Sequence, residues 1–529
     1  MTETDDLTRL LRSGGLSRRD LLSRAAILGA GAATLPLLGG RPAAAAMEEP
    51  RKGGKLRLGL AGGSTGDNLD PTTWTDTVGL VIGFALYNGL IENGADNKPV
   101  PELAESWEAK PGASAWVINL RKGIKFSNGH EFDADDAIYS LNLHRGASKS
   151  GAAGPMKAIS DIKKVDANQI VITLSSADAD LPYVLSDYHL LMVPNGFTDW
   201  TNPVGTGAYT LVTYDPGVRC SLKRNANYWK PGRANADTIE ITVINDGSAR
   251  LSALQSGQVD IIHRVKPEAV ALLRKNPKIH VVQAPGGWHA IMPMMLDREP
   301  YSNPDVRLAL KHAIDREAVL KTMFSGYGSV GNDHPIPKGD PYYNSSLPQT
   351  KYDADKARFY FKKAGIVDPK ILLQASDAAF GGAVNMAELY QANAKKAGIG
   401  IDVKKEPADG FWDNVWLKGS FTTSYWGGRP AATQMMGVAY KSDAAWNDTH
   451  WKMPAFDKLL SDARAELDEA KRKEYIWAMQ EMLHSQGGSI IPVFRDWLDA
   501  HSDTVGGYTP HNGFDLANGR ICEKAWVKA

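Results

Sequence analysis

Hydrophobic and polar positions along this chain switch between two periods, and the switches mark its elements. Residues 55–60 alternate one in, one out after the Gly53-Gly54 turn, the pattern of a strand. Residues 115–120 and 124–126 flank a turn, and Ser127-Asn128-Gly129 supplies another. The period then lengthens. Asp133 is placed to cap a helix reaching about His144, because its carboxylate accepts N–H groups left unpaired in a first turn. Residues 239–244 predict a strand, Asp246 caps a helix over 248–256 that stops at Gly257, and 259–262 predict the next strand.

The second half repeats this grammar. Helices over 304–313 and 315–324 follow one another, each opened by a residue suited to an N-terminus. A helix over 353–364 closes at Gly365 before a strand at 371–374, and one over 384–397 closes at Gly398 before a strand at 399–404. A short helix at 411–417 leads to a strand at 421–426. Two amphipathic helices, 454–467 and 469–485, precede a strand at 489–494. Strands and helices alternating at this spacing predict an α/β architecture with largely parallel sheets.

A different kind of segment stands first. Arg18 and Arg19 precede a weakly apolar stretch, 25–38, which is broken by Pro36 and followed by Arg41 and a run of alanines at 43–46. This is the arrangement of a twin-arginine (Tat) signal peptide with an A-x-A cleavage site. Its apolar part, about 14 residues, is too short to cross a bilayer as a helix, which takes ~20. Residues 1–46 are therefore expected to be removed by passage through the Tat translocase, leaving the mature protein free in the periplasm.

Composition narrows the function classes. Of 529 residues, 43% are hydrophobic and 23% charged, an ordinary globular balance. Basic and acidic residues number 60 each. The signal holds six of the former and four of the latter, so the mature chain carries 54 against 56. Without a basic excess, nucleic acid is not the expected partner. The two cysteines, Cys220 and Cys522, form neither a disulfide framework nor a zinc pattern, and read as a pair or as two buried thiols.

Chemical motifs are few. Gly326-Tyr327-Gly328-Ser329-Val330-Gly331 fits GxGxxG, but a helix precedes it and a Pro-containing loop follows, the reverse of a dinucleotide site. No P-loop, GxSxG or HExxH is present. Asp133, Asp135 and Asp136 read as a solvated helix start whose acids suit the dipole. The histidines lack metal-ligand spacing. No metal and no cofactor is expected. Trp74, Trp288 and Trp426 sit at loops or strand ends, where aromatic rings often wall ligand sites.

Several segments taken together resemble the family 5 solute-binding proteins of ABC importers, the dipeptide-, oligopeptide- and nickel-binding class. Pro101-Glu102-Leu103-Ala104-Glu105-Ser106-Trp107 is similar to P-x-L-A-x-S-W, and 120–129 to the family's L-R-x-G-V-x-F-x-x-G hairpin. Val204-Gly205-Thr206-Gly207-Ala208-Tyr209 resembles V-G-T-G-P-Y, and Arg224-Asn225-Ala226-Asn227-Tyr228-Trp229 resembles R-N-P-x-Y-W. Gly257-Gln258-Val259-Asp260 resembles G-E-x-D, and 306–316 resembles V-R-x-A-L-x-x-A-I-D-R. Singly these are weak; in this order they are specific.

The resemblance implies an α/β two-lobe periplasmic-binding-protein clamshell, class II-like and of cluster C, with an extra subdomain on the first lobe. Residues 47–285 would form lobe I, with the subdomain near 101–200; 286–495 would form lobe II, and 496–529 would return to lobe I. It implies a monomer that hands a small molecule to an inner-membrane ABC permease driven by a separate ATPase, not an enzyme. A Tat-exported enzyme is the competing class.

One departure bears on the ligand. Peptide binders of this class often carry an acid shortly after the strand ending in Trp426; here the stretch reads Gly427-Gly428-Arg429-Pro430. A guanidinium suits a carboxylate or phosphate and repels an ammonium. The expected ligand is therefore anionic and amino-acid-derived: an opine, an acidic peptide or a metal–polycarboxylate chelate, with an ordinary di- or oligopeptide as alternative. The candidate ligand-binding residues are Trp74, Asp76, Trp288, His289, Asn332, His334, Trp426, Arg429 and Asn447. Exposed N–H groups of the glycine-rich loop are a further candidate anion receptor.

Overall fold

Residues 49–528 are described by the structure, a computed structural model. The signal-peptide reading of 1–46 lies outside the described residues. The first strand, Lys55–Leu60, runs parallel to two neighbours, Thr238–Val243 and Ile261–Ile262. They continue a seven-stranded sheet in the order Ile279–Ala284, Trp497–Ser502, Ile261–Ile262, Lys55–Leu60, Thr238–Val243, Arg219–Arg224, Tyr209–Asp215. The helix Gly247–Gln255 connects two of them. Asp246 caps it, accepting from Ala249 N at 2.7 Å, and Gly257 supplies the left-handed φ that ends it.

The sheets are not largely parallel. Besides the ladders of Lys55–Leu60, only Lys370–Ala375 with Gly400–Lys405 runs parallel among the described strand pairs. The physical reason is connectivity: a parallel pair needs a crossover, whereas strands joined by short turns, as at 215–219 and 166–169, pair antiparallel. An antiparallel sheet of Ala104–Ala109, Ala115–Leu120, Gln169–Leu174 and Ile159–Asp166 has its own core, around Trp116, Ile118, Phe132 and Ile172. Against it packs the helix Ala134–Asn142. Its start is a capping box in which Asp136 Oδ2 accepts from Asp133 N at 2.9 Å. Asp136 is not solvated as expected; it is buried and accepts from Asn195 N at 2.8 Å.

Another antiparallel sheet orders Gly328–Val330, Ser489–Arg495, His289–Pro293 and Ser424–Trp426. Around it lie Pro304–His312, Arg316–Phe324, Ala383–Lys396, Pro454–Ala465 and Glu469–Gln486, close to the predicted helices. The chain passes from the seven-stranded sheet to this one between Ala284 and His289, and back between Arg495 and Trp497. Cys220 and Cys522 are free, buried thiols.

The motif segments are explained by close contacts. A Cβ on Gly205 would stand 2.1 Å from the Leu86 carbonyl oxygen, so this approach requires glycine. Glu102, of the P-x-L-A-x-S-W-like segment, is fully buried and takes a two-pronged grip from Arg520 at 2.7 and 2.8 Å. Lys230 Nζ joins Glu102 at 2.6 Å and Glu92 at 2.9 Å.

Candidate ligand-binding site

The two crossings place a handful of side chains where the sheets meet. The end of Ser424–Trp426 lies so close to the first crossing that a Cβ on Gly287 would be 2.8 Å from Gly428 Cα. Arg429 follows at once. Its Nη1 donates to the carbonyls of Gly427 and Gly428 at 3.2 and 3.1 Å, and among the described residues it has no carboxylate partner. Burial lowers its pKa, opposed by the field of Asp187 and Tyr188. Those two residues follow the helix Leu181–Val184. Asp187 Oδ1 lies 2.6 Å from His189 Nδ1, and His189 Nε2 lies 2.9 Å from the Trp74 carbonyl oxygen.

Next to them Asp76 caps the helix Thr77–Leu86, accepting from Thr77 N at 2.7 Å, and pairs with Arg264. Burial raises its pKa, but Arg264 and the Thr77 N–H outweigh that and leave it below the carboxylate range. Arg264 also comes within 3.9 Å of Asp515. His263 Nδ1 donates to Asp515 Oδ2 at 2.8 Å, while its Nε2 accepts from Ala61 N at 2.8 Å. That pattern fixes one neutral tautomer.

The facing wall is aromatic. Trp288 lies 5.8 Å from Tyr425 at 22° and meets Phe380 edge-on at 5.4 Å. The Arg495 guanidinium sits 4.6 Å over the Trp288 ring and 5.9 Å from Trp497. Trp416, Trp426 and Trp446 cluster within 6.4 Å of one another, and Trp412, Tyr425 and Trp446 remain 38–48% exposed. Beneath this cluster Asp448 is buried, with Trp416 Nε1 donating to Oδ2 at 3.5 Å.

Burial pushes the Asp448 carboxyl up to about 7. A folded-state pKa above the ordinary value means the folded form holds the proton longer than the unfolded form. The group therefore costs stability increasingly as pH rises from the normal carboxyl range to about 7. Asp448→Asn is expected to be more stable than wild type by on the order of 2 kcal/mol near pH 8 and equal to it near pH 4. Paired melting curves at both pH values check this; a pH-independent offset would refute it.

A set of contacts also joins the four-stranded sheet to the helices around the second sheet. Asp180 pairs with Arg472 and accepts from Thr433 Oγ1, and Ala179 N donates to Arg464 O at 2.6 Å. Burial and the neighbouring Asp180 push Asp178 up to about 6.

The predicted residues divide. Asp76, Trp288, His289, Trp426 and Arg429 gather at the crossing. His289 is fully buried, its Nδ1 donating to Gly287 O at 3.0 Å, and burial lowers its pKa to about 4. Trp74 lies one layer behind, packed on Gly79 and Gly83 with its indole N–H on Asn68 O at 2.9 Å. Asn332 and Asn447 do not join them, whereas His334 lies within the electrostatic reach of His289. Asn332 holds the backbone of Pro348 and Thr350, and Asn447 ties Lys441 to Trp451. His334 is buried beside Tyr343, its pKa lowered to about 3 by desolvation. The two asparagines satisfy loop backbone, while both ring nitrogens of His334 are buried without a hydrogen-bond partner among the described residues. The glycine-rich loop is no anion receptor: Gly328–Val330 is a strand paired with 493–495, and Gly331 N donates to Pro492 O at 2.9 Å. Arg264, Asp187, Tyr188, Tyr425 and Arg495 are at the site without having been predicted. A charged residue closing the otherwise apolar run 490–494 is the one signal that pointed to Arg495.

Residues 98–448 match the family described as bacterial extracellular solute-binding proteins, family 5. The chain belongs to this family. It is 26% identical over 479 residues to the glutathione-binding protein GsiB of Escherichia coli K12, covering 86% of this chain and 93% of that one. The binding protein AgaA of A. tumefaciens R10, solved with agropinic acid, is 26% identical with a TM-score of 0.72, over 90% of this chain and 99% of that one. HbpA2 of Haemophilus parasuis superposes with a TM-score of 0.81 at 20% identity, over 90% and 100%. The fold is accordingly the two-lobe α/β clamshell, and the protein is a solute-binding component of an ABC importer for peptides or other small ligands, working with a permease and an ATPase. Among the described residues no group of three or more His, Cys, Asp or Glu is arranged to hold a metal, and no helix is long and apolar enough to cross a membrane.

Proposed function

We propose that this protein is a monomeric periplasmic receptor, exported by the Tat route, for a small anionic amino-acid-derived ligand such as an opine, an acidic peptide or a metal–polycarboxylate chelate. Lobe I spans 47–285 and 496–529 and lobe II 286–495, with the crossings at 284–289 and 495–497 as hinge. The observation that carries the anionic reading is Arg429: a half-buried guanidinium at the crossing that has carbonyl oxygens but no carboxylate to neutralise it. Asp187, opposite, is a fitting partner for the ammonium group of an amino-acid-derived molecule. Among similar chains, one is named for glutathione and one was solved with agropinic acid, an acid by name. Closure of the lobes strengthens such contacts by excluding water.

Arg429→Gln is expected to weaken binding of carboxylate-bearing compounds about 10–100-fold, the worth of a charge-assisted hydrogen bond in a dry site, while leaving the unliganded melting temperature within a degree or so. Calorimetric titration with glutathione, agropinic acid and their amides reads the effect. Equal affinity of variant and wild type for the acids would sink the anionic reading.

A further inference from the structure

Buried or half-buried arginines of this chain generally have oxygen partners: Arg316 grips Asp333, Arg520 grips Glu102, Arg472 pairs with Asp180, and Arg250 and Arg307 donate to backbone carbonyls. Arg495 departs from this. It is half-buried, its guanidinium is stacked on Trp288 and Trp497, and among the described residues its N–H groups have neither a carboxylate nor a hydrogen-bond acceptor. Stacking holds the guanidinium by its face and leaves its edge, the part that donates, uncommitted. Electrostatically it faces both lobes: Arg264 and Asp515 on one side, Tyr425 on the other. Arg264 is already neutralised by Asp76. Two guanidinium groups without a directly paired carboxylate among the described residues, Arg429 and Arg495, therefore flank one strand.

The spacing of the strands that carry them follows from the register. His289 pairs with Trp426 on one side and with Phe494 on the other, two strand spacings or roughly 10 Å. Arg429 lies three residues beyond the first partner and Arg495 one beyond the second. Asp187 and Asp515 lie in the fields of Arg429 and Arg495 without a direct ion pair to either, so a ligand with an anionic group for each supplies the contact that both guanidinium edges lack.

We infer that the ligand is a dianion whose two anionic groups lie about a nanometre apart or less, Arg429 taking one and Arg495 the other. Arg495 is then a specificity-determining residue of the crevice. This rests on the anionic reading above and narrows it.

The test uses the whole mature protein and matched probes: α,ω-dicarboxylates from glutarate to azelate, and the monoamide of each. Thermal shift and calorimetric titration are run on wild type, Arg429→Gln and Arg495→Gln. At the best chain length, wild type is expected to bind the diacid about tenfold or more tighter than its monoamide. Arg495→Gln should bring the diacid down to the monoamide's level and leave the monoamide unchanged, with unliganded melting as in wild type. Equal affinity of diacid and monoamide in wild type, or equal weakening of both in Arg495→Gln, overturns the dianion; if Arg429→Gln still abolishes monoamide binding, the anionic reading survives alone. Failure of every acid to bind wild type overturns both.

Discussion

Arg520→Met is expected to destabilise the folded protein by about 3–5 kcal/mol, because it strands two buried carboxylates. Arg520 is 2% exposed and bonds Glu102 through both Nη atoms and Glu523 at 3.1 Å. Lys230, Arg233 and Lys524 complete the cluster around Glu92, Glu102 and Glu523. Burial alone would raise the pKa of Glu102, but Arg520 and Lys230 hold it below the carboxylate range. Its folded pKa is thus depressed, so its contribution is intact above the ordinary carboxylate pKa and is lost as pH falls below it. Removing charge from both partners, in Glu102→Gln with Arg520→Met, should restore much of the loss, since the cost lies in the unpaired charge. Urea unfolding followed by tryptophan fluorescence measures both variants. A single variant within 1 kcal/mol of wild type would show the network to be dispensable.

The second large effect is expected at Arg472. Its partner Asp180 is fully buried, Arg464, Thr433 and Ala179 close around the pair, and in the proposed division the two residues belong to different lobes. If Arg472 is replaced by Met, Asp180 is left charged and dry while the lobes are shut, and opening hydrates it. The penalty for breaking a buried pair, about 3–5 kcal/mol, then falls on closure rather than on folding. Affinity for whatever acid wild type binds should fall by about 100-fold or more, with a small change in melting temperature and a larger radius of gyration in the presence of ligand. Asp180→Asn combined with Arg472→Met removes the stranded charge and should recover most of the affinity. A fall in melting temperature at unchanged affinity would mean that the contact persists in the open form.

How much of this was written in the sequence depends on the distance over which each feature is determined. Helix starts were legible because they are local: Asp133, Asp246 and Asp315 each cap as expected, the side chain accepting from an N–H two or three residues on. Strands beside a helix cap or glycine stop, such as 55–60, 239–244, 371–374 and 489–494, were legible for the same reason, whereas 104–109, 159–166, 209–215, 219–224, 279–284, 289–293 and 497–502 were not read as strands. Strand pairing was not legible, because whether 371–374 lies parallel to 399–404 or 159–166 antiparallel to 169–174 depends on what connects them and what covers them. The site was half legible. Arg429 stood out against a family pattern, and Asp76 and Trp288 sat at element ends. Asn332 and Asn447 misled because buried asparagines serve loops as readily as ligands, and one chain read alone does not distinguish the uses. Asp187 and Tyr188 carry no local pattern at all; they matter because a fold of some 240 residues' separation brings them to Arg429.

The seven-stranded sheet has one consequence for the life of the molecule before it is finished. Its strand Trp497–Ser502 lies between Ile279–Ala284 and Ile261–Ile262, bonded to both. A chain still on the ribosome, lacking those late residues, presents two open backbone edges more than two hundred positions upstream. Such edges are templates for aggregation, and contacts of that sequence span form slowly. Those two edges stay open until translation has passed residue 502 and the strand can close between them.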